Sequence, residues 1–255
     1  MTPLMRIENL NKHFGGLHAV NSVSFDVQKG TIKAIIGPNG AGKTTIFNMI
    51  AGYFQPSSGE VHFNGKLITG MKPFMTAQQG LLRTFQNLKV CKNLTVIDNI
   101  LLGYHTRAKA GFISGMLSTK RSRREEREAL EAVLPLLEWL GIMDKKDTFV
   151  GNLSFGEQRS VELARALAPN PAMLLLDEPA AGLNMHETEG LARNISELKK
   201  QGRTILLVEH DMGLVMDISD EIVVLDFGVK IAEGRPSEIQ NNEDVIRIYL
   251  GGDDA

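Results

Sequence analysis

Residues 37–44 of this 255-residue chain read Gly37-Pro38-Asn39-Gly40-Ala41-Gly42-Lys43-Thr44, and no other segment constrains the fold as tightly. The apolar run Thr31 to Ile36 leads into it. The helix-compatible run Lys43 to Ala51 leads out, until Gly52 and Pro56 stop it. A strand, a glycine-rich turn and a helix in that order aim consecutive backbone N–H groups at an anion, and the helix N-terminus adds partial positive charge. Side chains on Gly37, Gly40 and Gly42 would be in the way. Lys43 then reaches β- and γ-phosphates as a point charge, the Thr44 hydroxyl is placed to ligate Mg2+, and Thr45 beside it caps or packs. Taken alone the pattern says nucleotide binding and no more, because kinases, GTPases and motor ATPases share it.

A second element narrows the chemistry. Leu174-Leu175-Leu176-Asp177-Glu178-Pro179 is an apolar strand ending in two acids. Asp177 is assigned to Mg2+, directly or through a water, and Glu178 is placed as the general base that orients and deprotonates the attacking water. The competing reading is that one of the acids caps the following segment.

The rest of the chain reads as a mixed α/β fold. The first thirty residues alternate polar and apolar, as in Val23-Ser24-Phe25-Asp26-Val27, which predicts an antiparallel sheet with one wet face. The runs Ala172 to Leu176, Thr204 to Val208 and Ile222 to Leu225 lack alternation and read as parallel strands covered on both faces. Between about 87 and 155 helical periodicity takes over, around Val96 to Leu102, Arg123 to Val133 and Leu136 to Leu140, with Pro135 forcing a kink or break. The expectation is one P-loop core, residues 1–86 and 156–255, with a helical lobe 87–155 inserted. In that lobe the charge run Lys120 to Glu128 reads as a solvated helix face with Arg121/Glu125 and Arg124/Glu128 one turn apart, against contact with headgroups or a partner. The glycine-broken apolar stretch Ala110 to Leu117 reads as a loop packed on its own lobe or a docking segment.

A formal net charge of -2 gives no chain-wide field for nucleic acid, so no nucleic-acid partner is expected. Cys91, the single cysteine, cannot form an internal disulfide, which fits a reducing, cytoplasmic compartment. No apolar stretch suits a secretory signal or a bilayer span, so membrane association would run through a partner.

Leu153-Ser154-Phe155-Gly156-Glu157-Gln158 resembles the signature motif of the ABC ATPase family, usually written LSGGQ, and the order of phosphate loop, Gln86, signature, acidic strand end and His210 resembles that family over nearly the whole chain. The resemblance implies several further roles. Ser154 and Gly156, at a helix start, would meet the γ-phosphate of ATP bound to an opposite subunit. Gln86 would sense Mg2+ and the attacking water, and His210 would hold the γ-phosphate. Phe14 would place an aromatic ring under adenine, with a core phenylalanine as its rival. Phe155 replaces the usual glycine, which should restrict the backbone, and Asn184 stands where aspartate is usual.

Asp177-Glu178-Pro179-Ala180-Ala181-Gly182-Leu183-Asn184, Val208-Glu209-His210-Asp211-Met212 and the long insert are similar to ATP-binding subunits of branched-chain amino-acid importers of the LivG type. That resemblance implies an ATPase on the cytoplasmic face of the inner membrane. Its partners would be a second cassette, identical or homologous, two transmembrane permease subunits and, indirectly, a solute-binding protein. A permease helix would enter a groove at Asn87, Leu88 and Val90 to Val96. Two rival readings are the ATPase of a lipid or lipopolysaccharide exporter and a soluble ABC ATPase outside transport. A non-enzymatic nucleotide switch fits poorly with Glu178 and His210 both present.

Overall fold

Alternation in the first thirty residues becomes two long strands. In the computed structural model, which describes residues 2–84, 86, 88–104 and 120–250, β1 (Met5–Phe14) and β2 (Leu17–Val27) pair antiparallel, Met5 opposite Val27 and Phe14 opposite Leu17. Met5, Ile7 and Leu10 are buried on β1. The three-residue step from Ile7 to Leu10 coincides with a register shift and a positive φ of 47° at Asn9, the mark of a bulge that resets which side chains face inward. After α1 (Lys43–Ile50), β4 (Ser58–Phe63) and the short β5 (Lys66–Leu67) complete a four-stranded sheet ordered β2-β1-β4-β5.

The second sheet is built from β3 (Ile32–Ile36), β6 (Leu81–Arg83), β7 (Met173–Asp177), β8 (Thr204–Val208), β9 (Glu221–Asp226) and β10 (Val229–Gly234), in the order β10-β9-β3-β8-β7-β6. All neighbours are parallel except β9 with β10. Every residue of β3, β7 and β8 is buried, which is why those runs carry no alternation. The polar residues among them are Lys33, Asp177 and Thr204; the Lys33 ammonium lies 2.9 Å from Glu221 and 2.5 Å from Glu233 on β9 and β10. Ile46, Phe47 and Ile50 of α1 join Leu10 and Val23 of the first sheet and Ile35, Leu175 and Leu206 of the second in one hydrophobic core. Helices α2 (Pro73–Gln78), α6 (Met185–Lys200), α7 (Met212–Ile218), α8 (Pro236–Gln240) and α9 (Glu243–Leu250) belong to this α/β unit.

The chain divides into two compact units, one formed by residues through Arg83 and from Ala172 onward, the other by Thr84–Pro171. The second is helical: α3 (Val96–Tyr104), α4 (Lys120–Trp139) and α5 (Phe155–Leu167) enclose Val96, Ile100, Val133, Leu137, Val161 and Ala164. The lobe thus runs to Pro171 and not to Phe155. The reason is α5, which approaches α3 so closely that a Cβ on Gly103 would stand 2.1 Å from the Arg165 carbonyl oxygen. Pro135 does not break α4, which continues from Lys120 to Trp139. Its missing N–H removes a helical hydrogen bond, and the complete burial of Val133 and Leu137 on either side offsets the loss. In the same unit the buried Asn99 fastens the loop before α3, accepting from the Cys91 N–H at 2.8 Å and donating to the Cys91 and Thr95 carbonyls at 3.0 Å each; the Cys91 thiol is exposed. The stretch Ala110 to Leu117 and Asn87 lie outside the described residues, as do the side chains of Arg121, Arg124 and Glu125. Among the described residues no helix is long and apolar enough to cross a membrane.

Candidate nucleotide-binding and hydrolysis site

Strands β3, β8 and β7 are parallel neighbours, so the turns that follow them, at residues 37–42, 209–211 and 178–184, leave the sheet at one edge. The turn after β3 needs its glycines. Gly37 has φ +147° and a Cβ there would lie 2.1 Å from the Leu225 carbonyl oxygen; Gly42 has φ +97° and 2.6 Å to the Ala19 carbonyl oxygen. Gly42 precedes α1 without a side-chain cap, and the first turn carries no acid. The orphan N–H groups of that turn are therefore the donors a phosphate would take. Lys43 Nζ donates to the Gly37 and Pro38 carbonyls at 2.6 and 2.9 Å. Burial pushes its pKa below the ordinary lysine range, and the nearby Glu178 and Asp177 oppose that shift.

A cavity of about 530 Å³ opens over this loop, lined by Phe14, Leu17, His18, Ala19, residues 39–45, Glu178 and Phe227. Thr45 is in its wall together with Thr44 and does not cap α1. Phe14 is partly exposed to the cavity; its ring meets Phe54 edge-on at 5.5 Å, and the Lys12 ammonium stands 4.9 Å from its centroid. The ring thus stands in the cavity wall and is not buried as core.

At the end of β7, Asp177 is almost fully buried and its Oδ2 accepts from the Arg83 guanidinium at 2.6 Å. Glu178 adopts φ +46°, a conformation uncommon for a residue with a side chain, and its N–H is tied to the Val208 carbonyl at 2.8 Å. His210 Nδ1 lies 3.9 Å from Glu178 Oε2 and 3.5 Å from Glu209 Oε2, with its ring largely exposed. Glu209 is fully buried and accepts from the N–H groups of Ala180 (2.8 Å), His210 (2.9 Å) and Asp211 (3.3 Å). That one carboxylate clamps the turn after β7 to the turn after β8. Its signal in the sequence was an acid closing a largely apolar strand, Thr204 to Val208. Leu17, His18, Phe227 and Arg83 carried no comparable signal.

Asn184 is the N-cap of α6: its side chain accepts from the Glu187 N–H at 3.0 Å while Glu187 accepts from the Asn184 N–H at 2.9 Å. Asparagine caps as well as aspartate does.

Gln86, Ser154 and Gly156 belong to the helical unit. Ser154 is the N-cap of α5, closing a reciprocal box with Glu157. Phe155 and Gly156 take helical conformations in the first turn, so the Cβ of Phe155 restricts nothing that the turn requires. The Phe155 ring lies 5.3 Å from the Arg159 guanidinium, which donates to the Gln86 carbonyl at 2.6 Å and to Glu162 at 3.0 Å. Lys145 hydrogen-bonds Glu157 and, with the Ser154 N–H, holds that carboxyl below the usual range against the opposing effect of burial.

The family profile described as ABC transporter matches residues 20–181, and one described as branched-chain amino acid ATP-binding cassette transporter matches residues 229–255. The chain belongs to the ABC transporter family. This cassette is 44% identical over 250 residues to the high-affinity branched-chain amino acid transport ATP-binding protein LivG of Salmonella typhimurium, covering 98% of each chain. It is 42% identical, with the same coverage, to the corresponding protein BraF of Pseudomonas aeruginosa. A solved structure of the ADP conformation of an ATP-binding cassette of an ABC transporter superposes with a TM-score of 0.84 at 34% identity, covering 98% of this cassette and all of that chain. An ATPase of this type binds nucleotide and hydrolyses ATP to ADP and phosphate.

Proposed function

We propose that this cassette is the energising subunit of an importer for branched-chain or other hydrophobic amino acids. The observation that carries the reading is the end-to-end likeness to LivG and BraF, reinforced by the separate match of the C-terminal residues 229–255.

In this reading the triphosphate lies along the loop, its oxygens taking the N–H groups of Gly40 to Thr45 and the Lys43 ammonium, with the base against Phe14. The donor set at the phosphate end fits Mg2+: a threonine hydroxyl in the cavity wall, and a carboxylate at the end of β7 close enough to act on Lys43. Thr44 and Asp177 would hold the ion, with Gln86 completing the set. Bound there, Mg2+ neutralises developing charge on the phosphates. Glu178 takes a proton from the water whose oxygen attacks the γ-phosphorus as the bond to ADP breaks, and His210 steadies the γ-phosphate. The strained backbone of Glu178 fits a side chain held for chemistry. Ser154 and Gly156 serve the ATP of a second cassette, so two chains close over two nucleotides and hydrolysis reopens them. The cassette sits peripherally on the cytoplasmic face of the membrane, bound to two permease subunits that receive solute from a binding protein.

Reconstitution with its permease subunits in nanodiscs tests this. Solute-binding protein loaded with leucine is expected to stimulate ATP hydrolysis, while Glu178→Gln abolishes turnover and accumulates an ATP-bound closed dimer. Stimulation by lipid A instead of leucine would refute the importer reading; wild-type turnover in Glu178→Gln would refute the assigned base.

A further inference from the structure

Arg83 is the last residue of β6, and only 8% of its side chain is exposed. Its guanidinium donates from one nitrogen to Asp177 Oδ2 at 2.6 Å and from another to Asn48 Oδ1 at 2.7 Å. Its guanidinium carbon lies over the rings of Phe47 and Tyr53, at 5.7 and 5.6 Å from their centroids. Asn48 is on α1, one turn beyond Thr44 and therefore on the same face of that helix. One rigid planar cation thus links the helix that presents Thr44 to the strand that presents Asp177.

A buried pair of this kind is a poor device for stability alone, because apolar side chains of similar volume often serve the core as well. Its distinctive property is geometry. A guanidinium fixes two acceptors at a set separation and angle, which an ammonium cannot do. We infer that Arg83 is a positioning residue for the metal site: it orients the Asp177 carboxylate and sets the distance from Asp177 to Thr44. The inference rests on the assignment of Thr44 and Asp177 to Mg2+ made above. It also gives the short strand β6 a task, since Arg83 is the point where the α/β unit ends and the segment leading to Gln86 begins.

Mn2+, which takes the same oxygen donors, is the probe, titrated by electron paramagnetic resonance into the full chain with a non-hydrolysable ATP analogue. Arg83→Met is expected to weaken Mn2+ binding by about 10- to 100-fold, the usual effect of losing a partner that orients a metal-ligating side chain. Arg83→Lys restores part of the affinity. Nucleotide binding in EDTA stays at the wild-type level in both, which a general loss of fold would not allow. Asn48→Ala keeps the Arg83–Asp177 pair and removes only the tether to α1. It is expected to shift Mn2+ affinity in the same direction by less, and it decides the matter if Arg83→Met does not fold. Wild-type Mn2+ affinity in Arg83→Lys and Asn48→Ala overturns the inference. Asp177→Asn separates the two levels: unchanged Mn2+ affinity there overturns the metal assignment itself, whereas a loss there beside intact Arg83 and Asn48 variants overturns the positioning role alone.

Discussion

Asn184 departs from the family pattern, and the structure gives it a reason: it holds the start of α6 through a reciprocal box with Glu187. Since asparagine and aspartate cap equally well, Asn184→Asp is expected to leave the unfolding midpoint in urea unchanged, whereas Asn184→Ala lowers stability by about 1 kcal/mol. Phe155 follows the same logic, because a position inside the first helical turn tolerates a Cβ. The residues proposed for the site were marked by type and spacing: Gly37, Gly42, Lys43 and Thr44 in the loop, Asp177 and Glu178 at the strand end. Arg83 was not, and of Glu209 only its place as an acid closing a largely apolar run could be read, not the turn it clamps. Their partners are 94 and 29 residues away in Asp177 and Ala180, and a single sequence carries no signal for a contact set only by which strands become neighbours.

Among the elements, α5 shows how far pattern reading goes. The sequence placed a helix start at Ser154, and the capping box with Glu157 is present. What it missed was ownership: α5 packs with α3 and α4, because the apolar positions Val161 and Ala164 fit a helical core as readily as a sheet face. At Pro135 the expected kink or break does not come as a break, since burial on both sides of the proline outweighs the hydrogen bond it removes. The cap of α5 also has a pH signature. Lys145 and the Ser154 N–H depress the Glu157 pKa, so their contribution is present above the ordinary glutamate value of about 4.3 and is lost as pH falls through the lower, folded value. Acid titration followed by circular dichroism is therefore expected to show a helix-loss step below about pH 4 that Glu157→Gln removes.

For the whole molecule, the fold class was legible because each buried strand announced itself as an apolar run, and the alternating start announced the separate antiparallel sheet. Strand order was not, being fixed by long-range packing. The phosphate loop is pre-formed, with its glycines wedged against Leu225 and Ala19 and Lys43 held on its own carbonyls. Ligand binding should therefore act as a simple stabiliser of the native chain. At ATP concentrations about 100 times Kd the gain is about 2.7 kcal/mol. Calorimetry is expected to show an ATP-dependent rise in Tm for the wild type, and no rise for Lys43→Ala.

The loop before α3 lends itself to a use of another kind. Asn99 holds the backbone there while the only thiol in the sequence points outward from Cys91. A maleimide fluorophore added to the unaltered chain thus goes to a single address, a few residues past Gln86. If a permease helix enters at Asn87 to Val96, as the family resemblance implies, emission from that dye would report its arrival in real time, with no cysteine to remove and none to add.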